Sequence, residues 1–427
     1  MTTTEYEAVP AVAREAAPHA GTVVMKFGGS SVADPDKLKA VARRIVAARE
    51  AGNRVVAVIS AMGDTTDELI DLAHRVSTRP EPRELDMLIS VGERISCALA
   101  AMAIHDLGHE AISLTGSQAG IVTDTTHTKA KIVDVRAKRI HEALDEDRIV
   151  LVAGFQGVST GLEITTLGRG GSDTTAVALA AALGADSCEI YTDVEGVFTA
   201  DPRLVPGARK LRVVSYEEML EMSATGAKVM ALRSVEFARN YGVRLHVRSS
   251  FSAAEGTWIG EEDERMLEKA LISGVTHDTA EAKVTILGVP DRPGIAAGVF
   301  RPLADAGVNV DMIVQNVSEH GHTSISFTLP KSDLATAEPI LERIAKEVGA
   351  SGYATDPEIG KISLIGAGMR SHPGVAADMF DALAGAGINI EIISTSSIRI
   401  SCVVRADDVE RAVGVVHEAF QLEQADA

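Results

Sequence analysis

The residues best equipped for chemistry sit in glycine-rich turns. Leu167 to Ala181 reads L-G-R-G-G-S-D-T-T-A-V-A-L-A-A, so Gly168, Gly170 and Gly171 bracket Arg169. Ser172, Asp173 and Thr174 then open a small-apolar run that ends at Gly184. Ser, Asp or Thr directly before such a run predicts a helix N-cap. The first helical turn presents unpaired N–H groups and a partial positive charge, which suits a phosphate. Glycines let the backbone approach an anion closely, and the Arg169 guanidinium is a planar fork matched to carboxylate or phosphate. Lys26-Phe27-Gly28-Gly29-Ser30-Ser31 repeats the combination of cation, glycines and hydroxyls. Lys228 follows Gly226-Ala227, and Glu93 stands within Gly92-Glu93-Arg94.

Singly, each of these is as readily a capped helix, a surface lysine or a solvated glutamate. Together, cations at strand ends beside carboxylates able to hold Mg²⁺ predict phosphoryl transfer. That chemistry needs clamped phosphates and charge neutralisation more than a covalent catalyst. There is no G-x-x-x-x-G-K-[ST] loop and no protein-kinase loop set, so a different kinase class is expected.

The elements that must position these residues follow from periodicity. Val23 to Met25 begins a strand that runs into the Lys26 turn. Asp34-Pro35 reads as an N-cap followed by proline at the first helical position. Leu38, Val41, Ala42, Ile45 and Val46 have helical spacing, and Gly52 stops the helix. Val55 to Ile59 is continuously apolar, as in a parallel strand buried on both faces, and leads to Ser60 and Thr66. Glu84 to Leu107 reads as one long helix. Val150 to Ala153 and Cys188 to Tyr191 are further strands, the latter ending at Thr192-Asp193, before the Phe198 to Arg203 loop. A helix from Ser215 and strands at Leu245 to Val247 and Thr257 to Ile259 close the unit. This rhythm predicts a doubly wound, mainly parallel α/β domain over residues 22–260, with ligands beyond the carboxyl ends of the strands. Residues 1–21 read as a mobile tail and 261–281 as a charged linker.

The last third contains a repeat. Pro293-Gly294, Phe300, Leu303 and Gly307-Val308-Asn309 recur as Pro373-Gly374, Phe380, Leu383 and Gly387-Ile388-Asn389, at a constant offset of 80 residues. Each unit, 282–356 and 360–427, reads strand, helix, strand, strand, helix, a sheet covered by helices on one face. The second stops at Ala427 with its final strand apparently missing.

The bulk properties bound the rest. A chain of 427 residues is long enough for two or three domains, and 4% aromatic content requires a core of Ala, Val, Ile and Leu. A net charge of −19 argues against nucleic acid or an anionic membrane as partner. Cys97, Cys188 and Cys402 are few, scattered and odd in number, which suggests neither a disulfide framework nor a metal cluster and fits a reducing cytoplasmic location. No apolar run approaches the roughly 18 residues that span a bilayer, and no signal-peptide core is present.

The motifs K-F-G-G-S-S, S-A-M-G-D-T-T-D-E-L, G-E-R-I-S, T-G-S-Q-A-G, G-F-Q-G, T-T-L-G-R-G-G-S-D-T-T-A, E-I-Y-T-D-V-E-G-V-F-T-A-D-P-R and V-R-S-S-F-S occur in this order. Together they closely resemble bacterial aspartate kinases, most nearly the actinobacterial kind with paired C-terminal ACT domains, over roughly residues 22–420. The resemblance implies an amino-acid-kinase fold, ferredoxin-like ACT units and phosphorylation of L-aspartate by ATP with Mg²⁺, the first step toward lysine, threonine and methionine.

By the same resemblance Lys26, Gly28, Gly29 and Ser30 hold the ATP phosphates, with Lys228 beside them. Tyr191, Thr192, Asp193, Phe198, Asp201 and Arg203 line the nucleotide site. Arg169 pairs with the α-carboxylate of aspartate, and Glu93, Thr66 and Ser60 complete its pocket, with Asp173 near substrate or metal. The matching effector positions for lysine and threonine are Asp291, Gln315 and Asn316 in one unit and His372, Pro373, Asn389, Ile390 and Ser397 in the other. ACT units that pair across a two-fold axis imply a homodimer or an α2β2 assembly. Related kinases often make a separate regulatory subunit from an internal start, for which Met266 is the candidate.

Three departures stand out: Ile295 and Ser397 occupy places where the family commonly has acidic residues, and the last strand is absent. They lead us to expect weakened or retuned feedback. A non-catalytic amino-acid sensor on a kinase scaffold is the alternative from another class, opposed by the retention of Lys26, Glu93, Arg169 and Lys228.

Overall fold

The computed structural model describes residues 21–261, 272–315, 321–367, 369, 372 and 374–424. The first unit runs β1 (Thr22–Phe27), α1 (Pro35–Glu50), β2 (Arg54–Ile59), α2 (Thr65–Val76), α3 (Pro82–Ile89), α4 (Val91–Asp106) and β3 (Ala111–Leu114). It continues through β4 (Ile121–Thr123), β5 (Ile132–Val135), α5 (Lys138–Asp145), β6 (Ile149–Ala153), β7 (Gln156–Ser159) and β8 (Ile164–Thr166). It ends with α6 (Gly171–Leu183), β9 (Ser187–Thr192), β10 (Val213–Ser215), α7 (Tyr216–Ala224), α8 (Leu232–Tyr241), β11 (Leu245–Ser249) and β12 (Thr257–Gly260).

Eight strands form one sheet in the order β10-β12-β11-β9-β1-β2-β6-β3. From β11 to β3 every pairing is parallel. The two-residue period of a strand divides its apolar side chains between two layers. Val24, Val56, Val58 and Val152 face the layer that holds α6, whereas Met25, Val55, Ala57 and Ile59 face α1 and α4. Four shorter strands make a second sheet, β5-β4-β7-β8.

Two expectations are corrected here. The cap of α6 is Gly170, in the left-handed region at φ 73°, so Ser172, Asp173 and Thr174 lie inside the first turn. The long helix breaks at Ser90 into α3 and α4. Taken together, Pro82–Asp106 is nevertheless long and apolar enough to cross a membrane by length and composition. Half of its most apolar 18-residue window is buried in the fold, and Asp86 and Glu93 are buried along the stretch, as in the core helix of a globular domain.

The second part runs β13 (Gly274–Asp278), β14 (Glu281–Pro290), α9 (Ile295–Asp305), β15 (Ile313–Gln315), β16 (His322–Pro330), α10 (Leu334–Val348) and β17 (Gly352–Asp356). Then come β18 (Ile359–Ile365), α11 (Val375–Gly385), β19 (Ile392–Thr395), β20 (Arg399–Arg405) and α12 (Val409–Ala419). The first repeat unit is the sheet β15-β16-β14-β17 and the second is β13-β18-β20-β19. The second unit therefore has its fourth strand after all. It is β13, from the stretch read as linker, paired antiparallel with β18 from Gly274↔Ile365 to Asp278↔Lys361.

The two units dock with reciprocal charges. Lys361 of β18 is 1% exposed and bonds Glu281 and Asp311, while Lys283 of β14 bonds Glu391. Met312, Ile359, Ile392 and Val403 fill a small core with members from both units.

Candidate active site

Two cavities open beyond the carboxyl ends of β1, β2, β6 and β9. The first, of about 250 Å³, collects Lys26, Gly28, Gly29, Ser60, Thr66, Glu93, Arg169 and Asp173, residues that are far apart in the chain. After β1 the chain stays extended at Gly28, whose N–H donates to the Tyr191 carbonyl at 3.2 Å. Gly29 is where bare backbone is required. A Cβ there would lie 3.1 Å from the carbonyl oxygens of Ala61 and Gly63, against which the turn is pressed. Gly170, besides its positive φ, leaves no room for a Cβ, which would lie 2.3 Å from the Ala231 Cβ.

Glu93 is 3% exposed. Its Oε1 accepts from the Ala61 N–H at 3.3 Å, and Oε2 has no hydrogen-bond partner among the described residues. Burial pushes its carboxyl up to about 7, and hydrogen bonds from backbone amides only partly offset this. Lys26 Nζ lies 2.6 Å from Asp173 Oδ1, with both side chains mostly buried. Arg169 is exposed at the rim and has no hydrogen-bond or ion-pair partner among the described residues. A buried carboxylate, a paired ammonium and a guanidinium around so small a space can hold a zwitterion and neutralise an anion beside it.

The second cavity, of about 430 Å³, brings together Asp193, Phe198, Asp201, Arg203 and Lys228. Arg203 sits 2.6 Å from Asp201, and that hydrogen bond holds the Asp201 carboxyl below the usual range. Lys228 is exposed.

Three expected residues lie elsewhere. The Tyr191 ring points into the α1 layer, stacked on Phe27 at 4.7 Å and bonded through its hydroxyl to Glu189, because side chains alternate along β9. Thr192 hydrogen-bonds Asp193 without lining either cavity, and Ser30 is exposed outside both. Its neighbour Ser31 is buried instead and receives a hydrogen bond from Ser250 at 2.6 Å, so the V-R-S-S-F-S segment braces the lysine turn.

Other supports escaped sequence reasoning. Asp86, fully buried, accepts from Thr166 and from the Thr128 N–H and bonds His127, while Arg233 donates to the carbonyls of Leu167 and Ala130. These contacts hold the strand that delivers Arg169, and only the odd burial of an aspartate within an apolar helix signals them. Thr276 and His277 of β13 line the second cavity, with no sequence signal at all.

The expected effector residues are dispersed. Asp291, Gln315, His372 and Asn389 are exposed, Ile390 packs on the second unit's core, and none lines either cavity. Asn316, Pro373 and Met266 lie outside the described residues. Ser397 is exposed in the turn between β19 and β20, where Ser396 and Arg399 reach Glu221 of α7 at 3.3 and 2.9 Å. Ile295 is buried at the start of α9.

Residues 21–249 match the amino acid kinase family, and 283–349 and 362–420 match ACT domains. The chain belongs to the amino acid kinase family. Within it, it is an aspartate kinase. An aspartokinase from Mycolicibacterium smegmatis is 59% identical over 404 residues, covering 94% of this chain and 96% of that one. Among solved structures, E. coli aspartokinase III in complex with aspartate and ADP (R-state) superposes with a TM-score of 0.79 at 26% identity, covering 93% and 99% of the two chains. The lysine and aspartate complex of that enzyme (T-state) gives 0.73 at 25%, with the same coverage.

Proposed function

We propose that the chain transfers the γ-phosphoryl group of ATP to the side-chain carboxylate of L-aspartate, giving 4-phospho-L-aspartate and ADP. One observation carries this reading: Glu93, with an unpartnered Oε2, shares one small cavity with Arg169 and Lys26. Arg169 takes the α-carboxylate in a bidentate fork and ionised Glu93 takes the ammonium, with Thr66 and Ser60 as hydroxyl partners. The zwitterion is thereby held with its β-carboxylate toward Lys26. A carboxylate oxygen forms the new bond to the γ-phosphorus as the bond to the β–γ bridging oxygen breaks, and ADP leaves with that electron pair. The nucleophile is already ionised, so no general base is needed. Lys26 and the Gly28-Gly29 backbone meet the phosphates from one side and Lys228 from the other, with the nucleoside in the second cavity.

Among the described residues no group of three or more His, Cys, Asp or Glu side chains forms a metal cage. Asp173, whose buried Oδ1 is ion-paired with Lys26 at 2.6 Å and has no further hydrogen-bond partner among the described residues, would hold Mg²⁺. When bound, it neutralises phosphate charge.

The relative solved with aspartate and ADP supports the choice of ligands. We place the reaction at the head of lysine, threonine and methionine synthesis, or of a specialised pathway. It belongs in the cytoplasm, in a homodimer or α2β2 assembly under ACT-mediated control by lysine and threonine. Ile295 and Ser397 remain reasons to expect retuned feedback, whereas β13 removes the argument from a missing strand.

A coupled ADP-release assay with aspartate, Mg²⁺ and ATP, repeated with lysine, threonine and both, tests this. Turnover that requires aspartate supports the reaction, and its absence overturns it. Strong suppression by both effectors would reject retuned feedback.

A further inference from the structure

One strand bounds the second cavity from the regulatory side. β13 pairs with β18 along one edge, as part of the second ACT sheet. Its other edge holds both loops of the cavity. The Val275 N–H donates to the Thr199 carbonyl at 2.7 Å, next to the 198–203 loop. Thr276 Oγ1 meets Thr225 Oγ1 at 2.6 Å, at the end of α7. Gly226 then turns at φ 112°, so close to β13 that a Cβ would lie 1.9 Å from the His277 carbonyl oxygen, and Lys228 follows two residues later. The His277 side chain is half-buried in the cavity wall.

We propose that Thr276 and His277 belong to the nucleotide site, and that β13 positions the Asp201 and Lys228 loops around a bound nucleoside triphosphate. His277 presents its imidazole to the nucleoside, and the strand's backbone fixes the loops that meet the phosphates. This rests on the reading of the second cavity as the nucleotide pocket. The nucleotide site is then composite, walled by the kinase sheet on one side and by the second ACT sheet on the other. By thermodynamic reciprocity, whatever shifts β18 and β13 changes nucleotide affinity, and nucleotide binding biases the ACT sheet in return. Aspartate, in a cavity without a β13 residue, is coupled only indirectly.

The test compares His277→Ala, His277→Gln, Val275→Pro and Lys228→Ala in the full-length chain. It reads the KM values for ATP and aspartate separately, together with binding of a fluorescent ATP analogue in the absence of aspartate. Val275→Pro deletes the N–H that donates to the Thr199 carbonyl, and with it the strand's direct hold on the 198–203 loop, while leaving the pairing with β18 to the neighbouring residues. His277→Ala is expected to raise the ATP constant about tenfold, as loss of one well-placed polar contact does, with the aspartate constant within about twofold. His277→Gln should recover most of this, and Val275→Pro should shift the ATP constant in the same direction. If Lys228→Ala weakens ATP while neither His277 variant does, the composite site is wrong and the nucleotide reading stands. If none of the four moves ATP binding, the nucleotide reading falls and this inference with it. If His277→Ala weakens ATP and aspartate equally, its role is structural and the assignment is overturned.

Discussion

The two cavities are built by opposite means. The smaller is enclosed by the kinase unit alone: glycine turns press backbone on backbone, and its buried glutamate accepts from the Ala61 amide. The larger is framed by loops whose backbone rests on a strand of the regulatory half. The difference separates two tasks. On the assignment proposed above, recognition of the small substrate is insulated from the ACT units, and recognition of the larger one is exposed to them. An effector would then act chiefly on nucleotide binding.

The sharpest break of this comparison is Arg169→Ala. Loss of the one guanidinium at the rim should lower kcat/KM for aspartate about a thousandfold, of order 4 kcal/mol, and leave the ATP constant nearly unchanged in steady-state kinetics. Arg169→Lys should recover only part, because a point charge does not replace a planar fork. Next come the paired glycine variants. Gly170→Ala and Gly226→Ala should each destabilise the fold by about 2 kcal/mol, through positive φ and collision with Ala231 or His277. Gly170→Ala should raise the aspartate constant and Gly226→Ala the ATP constant. Parallel shifts in both constants would erase the distinction between the cavities.

Glu93 supplies a pH test of intermediate size. With its carboxyl near 7, the ionised form that binds an ammonium becomes scarce below neutrality. The aspartate KM should therefore rise about tenfold from pH 8 to pH 6, while ATP binding stays flat. Stability runs the other way. The folded state holds this proton more tightly than the unfolded one, so the contribution is full below about 4.5 and lost as pH rises through about 7. Glu93→Gln should thus gain melting temperature relative to the parent at pH 8 but not at pH 4.5. The smallest expected effect belongs to His417→Ala. It removes a 2.9 Å hydrogen bond from α12 to Thr199, worth about 1 kcal/mol, and should change the ATP constant about twofold without touching aspartate.

Much of the kinase unit was legible because its signals are local. Val55 to Ile59 read as a strand buried on both faces and is one, and the glycines at 29 and 170 marked turns where the backbone is closely approached. Tyr191 was misread because a motif names residues, while alternation along β9 decides which face each side chain takes. The capping of α6 shifted to Gly170 because a left-handed glycine ends the preceding turn before any hydroxyl is reached. His277 was invisible for a deeper reason. Its strand is five residues long and its partner is β18, beyond the whole first repeat unit, so nothing nearby in sequence announces the pairing.

That displacement of β13 also bears on how the chain matures. During synthesis β13 leaves the ribosome before any residue of the first ACT unit, and β18 only after the last. The first unit can close its own sheet as it emerges, β17 following α10 directly. The second must wait, its edge strand held in reserve until residues 359–405 arrive, a long-range closure of the kind that slows folding. Nascent chains stalled before β18 would therefore carry a finished first unit and a nucleotide pocket with an unsecured wall. With the second cavity as the nucleotide site we propose, competence for ATP would be among the last properties that the growing polypeptide acquires.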